Sequence, residues 1–146
     1  MRKFKFRLQS VLKYRTTLEE LRRNVFASVQ SELLACEARI AAKRAECART
    51  IAERNFLDVM DIERREIYID ALNAAIEREL RVREGIAARL EDARRAFIAA
   101  RQAREAIERV RQSDFEEFMR NETHAEHAVL DEIATLRRTR RERLTG

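Results

Sequence analysis

The chain has 146 residues, of which 39% are charged, and it contains no proline or tryptophan and only two glycines. A composition rich in Ala, Glu, Arg and Leu without helix breakers is typical of long helices and coiled coils, and no alternating run predicts a strand. Paired long helices bury a narrow seam and form no deep pocket, so we do not expect an enzyme. The net charge of +5 permits an acidic partner without requiring nucleic acid.

A first helix is predicted over about residues 4–54, because its apolar residues recur at spacings of three and four. The pattern slips once, between Val29 and Leu33, as it does at a stutter where supercoiling relaxes. Charged residues within the seam, such as Arg15 and Lys43, are expected to pack their stems and extend their charges to water. The predicted seam comprises Phe4, Leu8, Val11, Leu18, Val25, Val29, Leu33, Cys36, Ile40, Cys47 and Ile51.

Two cysteines belong to this seam. Cys36 and Cys47 are eleven residues apart, which places them about 16 Å apart along one helix. That separation is too large for a disulfide between them. Both are therefore predicted to be small buried hydrophobic residues.

A turn is predicted at about residues 55–60, where the apolar spacing fails and Asn and Asp residues cluster. Asp58 or Asp61 can cap the following helix, and Glu63 then lies in its first turn, where the helix dipole favours an acid. No Gly or Pro fixes the position of the turn. The alternative is one unbroken helix of roughly 200 Å.

A longer second helix is predicted over about residues 61–143. From Ile86 to Ile107 its apolar steps alternate between four and three, which is the heptad spacing of a helix that packs along another helix. The fold class is therefore all-α, an antiparallel two-helix coiled-coil hairpin with a longer second helix, formed by a single domain over residues 1–146. The predicted seam of the second helix comprises Tyr68, Leu72, Ile76, Leu80, Ile86, Leu90, Ala93, Phe97, Ala100 and Ile107.

The second helix is expected to extend beyond the first. A turn near residue 57 places Phe4 opposite Gln112, so residues 113–143 project without a partner in the chain. Ser113 to Glu116 form a capping-box pattern that predicts a bend or a restart of the helix. Either another chain covers the apolar residues of this overhang or the overhang is disordered when alone. These residues are Phe115, Phe118, Met119, Val129, Leu130, Ile133 and Leu136.

The overhang ends in five arginines and one glutamate between Arg137 and Arg143. The basic residues of the N-terminus are expected at the same end, whereas the turn is acidic. Cations at a helix C-terminus also complement the helix dipole, but the preceding apolar residues favour partner binding. The N-terminal basic residues are Arg2, Lys3, Lys5 and Arg7.

No cofactor, metal or catalytic site is predicted. His124 and His127 are one helical turn apart, but no further His or Cys completes a metal site. No Gly-rich phosphate loop or hydrolase motif occurs. No apolar run approaches the ~18 residues of a membrane span, and the charged N-terminus lacks the apolar core of a secretory signal. We therefore expect a cytosolic protein without direct membrane insertion.

Three stretches of the sequence stand out: the opening FKFRLQSVLKYR at residues 4–15, the pattern Tyr68-x-x-x-Leu72-x-x-Ala75-Ile76, and LDEIA at residues 130–134. Together they resemble the FliJ family of the bacterial flagellar type III export apparatus. Their order and spacing carry the resemblance, which covers almost the whole chain. It implies an antiparallel coiled coil similar to the central shaft of rotary ATP synthases, which acts as stalk and general chaperone in export.

The resemblance also implies two contact surfaces and several partners. The open end of the hairpin would enter the hexameric ring of an export ATPase similar to FliI, and the start of the second helix would contact a gate protein similar to FlhA. Export chaperones are further partners that it suggests. The implied gate contacts are Tyr68, Leu72, Ala75 and Glu79. The residues predicted to contact the ring are Phe115, Phe118, Leu130, Asp131, Glu132, Ile133, Arg137, Arg138, Arg140 and Arg141.

Two questions stay open at the level of sequence. Tyr68, Leu72 and Ile76 can face either the first helix or the gate, and core packing is the default. Ala75 and Glu79 are not obvious core residues, so the gate face can lie at the edge of the seam. Rival functions are the stalk of a virulence-type secretion system, a homodimeric scaffold, and a nucleic-acid binder, against which the interleaved glutamates argue.

Overall fold

The computed structural model describes residues 3–145 and the side chains of residues 3–144, so Arg2 of the basic N-terminus lies outside it. Helix α1 comprises Gln9–Ala52 and helix α2 comprises Val59–Thr145. No strand occurs among the described residues. The predicted all-α hairpin with a longer second helix is therefore confirmed.

The first helix begins later than the sequence pattern predicts. Residues 3–6 have no regular structure, and α1 starts at Gln9 after a turn in which its amide donates to the carbonyl of Phe6 at 3.3 Å. A helix that started at Phe4 would place Lys5 and Arg7 at its positive end, which the helix dipole disfavours. The ring of Phe4 instead packs outside α1.

The connection between the helices comprises residues 53–58. The Asp58 carboxylate accepts a hydrogen bond from the Asp61 amide at 2.9 Å, and the Asp61 carboxylate accepts one from the Leu57 amide at 3.1 Å. The first bond satisfies an amide that the first turn of α2 would leave unbonded, and the second ties the residue before the cap to that turn. The turn was expected at about residues 55–60, and the alternative of one unbroken helix is wrong.

The chain divides into two compact units, and both helices contribute to each. We call Leu18–Ala100 the hairpin unit and Met1–Thr17 with Arg101–Gly146 the terminal unit. In the hairpin unit, the residue numbers of the contact partners on α2 rise as those of the contact partners on α1 fall. Glu46 contacts Tyr68, Cys36 contacts Glu79 and Phe26 contacts Phe97, so the helices are antiparallel.

The core of the hairpin unit follows one heptad pattern without interruption. Cys36 is fully buried and Cys47 is 8% exposed, which confirms the prediction that both are buried. One buried cluster joins Val29, Cys36 and Ile40 to Ile86, and a second joins Cys47 to Ile69 and Leu72. From Phe26 to Cys47 on α1 and from Ile69 to Ala100 on α2, the seam positions alternate steps of three and four.

The prediction that three residues lie in the buried seam is wrong, since Val25, Ile51 and Tyr68 are 43%, 53% and 44% exposed. Phe26 replaces Val25 and stacks on Phe97, with ring centroids 6.2 Å apart. Because Phe26 restores the three–four alternation, the predicted stutter between Val29 and Leu33 does not occur. Tyr68 lies four residues before Leu72, which is about 40° more than one helical turn, so it falls beside the seam. Ile69 lies three residues before Leu72 and remains in the seam.

Helix α2 is continuous from Val59 to Thr145, so it does not restart at Ser113 as the capping-box pattern predicted. No Gly or Pro occurs in that region to end a helix, and Gln112 instead donates to Glu116 at 2.8 Å within the helix. Neither described helix is long and apolar enough to cross a membrane.

Candidate functional site

The predicted gate face is the row Tyr68, Leu72, Ala75 and Glu79 near the start of α2. Its steps of four, three and four place all four residues on one side of the helix, and that side faces α1. Leu72 is 8% exposed and belongs to the buried cluster with Cys47 and Ile69. The default of core packing is therefore confirmed for Leu72.

Tyr68 lies at the edge of this seam. Its hydroxyl donates to the Glu46 carboxylate across the hairpin, and 44% of the residue stays exposed. The hydrogen bond to Glu46, aided by partial desolvation and by the negative charge of Glu46, raises the pKa of Tyr68 above its ordinary value. Of the four predicted gate residues, Tyr68 offers the most surface to a partner.

Glu79 forms a charged contact within the seam rather than an exposed surface. Its carboxylate accepts from the Arg39 guanidinium at 3.3 Å and lies 3.8 Å from the Lys43 ammonium. The Cys36 thiol lies 3.6 Å from the Glu79 carbonyl oxygen and 3.7 Å from its carboxylate. Only 20% of the Glu79 side chain is exposed, so these groups satisfy a carboxylate that lies partly out of water.

The two phenylalanines predicted to contact the ring have a partner within the terminal unit. The ring of Phe4 lies 5.3 Å from that of Phe115, edge to face, and 5.6 Å from that of Phe118. The prediction that Phe115 and Phe118 lack an intramolecular partner is therefore wrong. It failed because a non-helical segment before Gln9 carries the Phe4 ring to them.

Beyond Phe118, α2 continues as a segment that we call the C-terminal extension, residues 119–144. Every side chain in it is exposed except that of Glu122, which is partly exposed. Val129 and Leu130 are 55% and 63% exposed, and Leu136 is 62% exposed. The other predicted ring contacts all lie in this exposed segment: Leu130, Asp131, Glu132, Ile133, Arg137, Arg138, Arg140 and Arg141.

A second apolar surface lies at the turn, and no function was predicted for it from the sequence. Leu57 is 95% exposed, Val59 69% and Met60 55%, and acidic residues surround them. Arg65 holds this turn in place, since its guanidinium lies 4.9 Å from the Phe56 ring and donates to the Ile51 carbonyl at 3.2 Å. This surface could have been predicted from the sequence, because three apolar residues fall inside the predicted turn and a residue in a turn cannot pack into the helical seam.

The described residues contain no group of three or more His, Cys, Asp or Glu side chains that could hold a metal ion. His124 and His127 are both exposed on the C-terminal extension. The two cysteines have no disulfide partner. The features that stand out are therefore surfaces on which another protein can pack.

A family model described as "Flagellar FliJ protein" matches residues 4–143. No curated protein and no solved structure matches the chain. The family match covers the three stretches on which the resemblance was based, and it confirms that resemblance.

Proposed function

Because the chain belongs to the flagellar FliJ family, we propose that it is a non-enzymatic central stalk and general chaperone component of the flagellar export apparatus. Family membership makes it a coiled-coil protein related to flagellar export. The proposal adds two contacts. The C-terminal extension enters the hexameric ring of the export ATPase, and the start of α2 contacts the export gate.

The observation that carries the ring contact is the exposure of the C-terminal extension. The extension is a helix of 26 residues whose large apolar side chains face water, where they do not stabilise the fold of the chain. Exposed apolar stripes of this kind commonly mark interaction surfaces. An amphipathic helix that packs into a groove or channel buries such a stripe. A ring of subunits provides a channel that surrounds the helix.

The arginines support the same contact. Arg137, Arg138, Arg140, Arg141 and Arg143 follow the apolar residues on the extension, with Glu142 as the acid among them. Guanidinium groups form bidentate hydrogen bonds with carboxylates, so acidic loops on the inside of a ring would bind them well. Charge attraction would also speed the entry of the helix.

The gate contact rests on Tyr68. Its ring is partly exposed at the edge of the seam, while Leu72 and Glu79 are used to hold α1 against α2. We therefore assign direct contact to Tyr68 and to exposed neighbours of Ala75. Leu72 and Glu79 support the contact by fixing the position of α2. A protein that binds both ring and gate could couple ATP hydrolysis to export.

The proposal needs no cofactor. It places the protein in the cytoplasm, peripheral to the inner membrane through the export apparatus, with export chaperones as further partners. The description of the matched family favours the flagellar system over the virulence-type alternative.

The ring contact is tested with a chain that ends at Phe118. This truncation keeps the packing of Phe4 on Phe115 and Phe118, so helical content per residue should be unchanged. We expect loss of binding to the purified ATPase hexamer and loss of ATPase stimulation. A truncated chain that still bound and stimulated the ring would overturn the ring contact.

A charge-reversal pair gives a finer test. Arg137→Glu with Arg140→Glu should weaken ring binding by at least about tenfold, because both side chains are exposed on the extension. Arg78→Glu with Arg81→Glu makes the same charge change at exposed positions of the hairpin unit and is the matched control. Equal weakening by the two pairs would mean that net charge alone, and not the extension, governs binding.

A further inference from the structure

Five of the six large apolar residues of the C-terminal extension occupy one stripe of the helix, and Leu130 lies about 20° outside it. At about 100° per residue, Met119, Val129, Ile133, Leu136 and Leu144 fall within an arc of roughly 100°. Glu122 and Glu126 lie inside the same arc in the first half of the extension, and Arg137 and Arg140 lie inside it in the second half. The stripe therefore contains acids at one end and cations at the other.

The charges of the extension divide in the same way. Residues 119–132 contain four acidic residues and one arginine, whereas residues 133–144 contain five arginines and one glutamate. A helix with this pattern is complementary to a second copy of itself in the opposite direction. In a parallel pair, like charges would face each other along the whole length.

We propose that the C-terminal extensions of two copies of this chain pair antiparallel through this stripe. A two-fold axis near Asp131 makes the contact isologous, with the same surface used by both copies. In heptad register, Val129 of one copy packs against Ile133 of the other, and Arg140 of one copy lies opposite Glu122 of the other. Each of these layers occurs twice.

The pairing goes beyond the stalk function and does not depend on it. The extension spans roughly 39 Å, and charged residues occupy several of its seam positions, which lowers the stability of a coiled coil. The association is therefore weak, and it depends on concentration and salt. A dimer would cover the stripe until another binding partner displaced the second copy.

The test is sedimentation equilibrium of the full chain over a concentration series, for the wild type, Glu122→Arg, Arg140→Glu and an equimolar mixture of the two variants. The wild type should show a reversible monomer–dimer equilibrium that weakens as salt is raised. Each single variant places like charges opposite each other twice, so its dimer should be at least about tenfold weaker. In the mixture both layers formed by residues 122 and 140 pair opposite charges again, so dimerisation should return to within about threefold of the wild type.

Glu117→Arg is the matched control. It makes the same charge change on α2 at an exposed residue about 140° around the helix from Glu122, so it should leave the dimer constant within about twofold. Circular dichroism checks that all variants keep their helical content. A wild type that stays monomeric at all concentrations, single variants no weaker than Glu117→Arg, or a mixture that fails to recover would each overturn the proposal.

Discussion

The hairpin unit and the C-terminal extension share helix α2 but use their apolar residues differently. In the hairpin unit, Leu72 and Ile86 are 8% and 6% exposed because α1 covers them. In the extension, Val129 and Leu136 recur at heptad spacing and are 55% and 62% exposed. A heptad pattern therefore predicts that a helix will be covered, but it does not say whether the covering helix belongs to the same chain.

The charged residues at seam positions distinguish the two regions further. In the hairpin unit, Glu79 is matched across the seam by Arg39 and Lys43. In the extension, Glu126 and Arg140 lie on an exposed stripe. A seam charge that is matched within the chain stabilises the fold, whereas an exposed one is available to select a partner.

The largest expected effect comes from truncation of a core residue. Leu72→Ala should lower the free energy of unfolding by about 2–4 kcal/mol, because it removes a buried side chain and leaves a cavity. Urea denaturation followed by circular dichroism measures the loss. Leu136→Ala on the extension is the control and should change stability by less than about 0.5 kcal/mol.

The same two variants decide the role of Leu72. If Leu72 served mainly as a gate contact, Leu72→Ala would reduce gate binding and leave the unfolding midpoint unchanged. The structure predicts that any loss of gate binding is accompanied by loss of stability. Equal stability of the two variants would contradict the difference between the two regions.

A smaller effect is expected at the edge of the seam. Glu46 raises the pKa of Tyr68, so the hydrogen bond between them stabilises the fold fully below pH about 10, the ordinary value for tyrosine. This contribution is lost as the pH rises through the raised pKa, where the tyrosinate would face the carboxylate. Tyr68→Phe should therefore be less stable than the wild type at neutral pH, and the difference should shrink in alkaline solution.

Thermal unfolding from pH 7 to 11 tests this dependence. Tyr14→Phe is the control, since Tyr14 is 62% exposed on α1 in the terminal unit. Tyr14→Phe removes the same hydroxyl at an exposed position and therefore controls for the general effect of alkaline pH on the chain. A Tyr68→Phe difference that stayed constant to pH 11 would show that the hydrogen bond to Glu46 contributes nothing.

Much of the fold could be predicted from the sequence, because helix periodicity and capping are local properties. The two helices, the caps at Asp58 and Asp61, and the burial of Cys36 and Cys47 all followed from spacing and residue type. What spacing could not resolve was a shift of one residue. Tyr68 and Ile69 are adjacent and both are apolar. Only the position of the seam residues on α1 determines that Ile69 is the buried one.

Contacts outside regular structure were harder to predict. The packing of Phe4 on Phe115 and Phe118 depends on a segment that is not helical, for which periodicity gives no register. The exposed residues Leu57 and Val59 at the turn were likewise not assigned to a surface. Candidate contact residues came from a family resemblance, which cannot tell whether a residue such as Leu72 contacts a partner or holds the helix that does.

The hairpin unit is closed by contacts of its own, whereas we propose that only partners cover the C-terminal extension. Hydrogen exchange monitored by mass spectrometry, with the chain dilute and then with excess export ATPase hexamer, tests it most directly. We expect rapid exchange of residues 119–144 in the free chain, slow exchange around Leu72, and new protection on adding the ring that is confined to the extension. Strong protection of residues 119–144 in the dilute free chain, or ring-induced protection around Tyr68 with none in the extension, would contradict it.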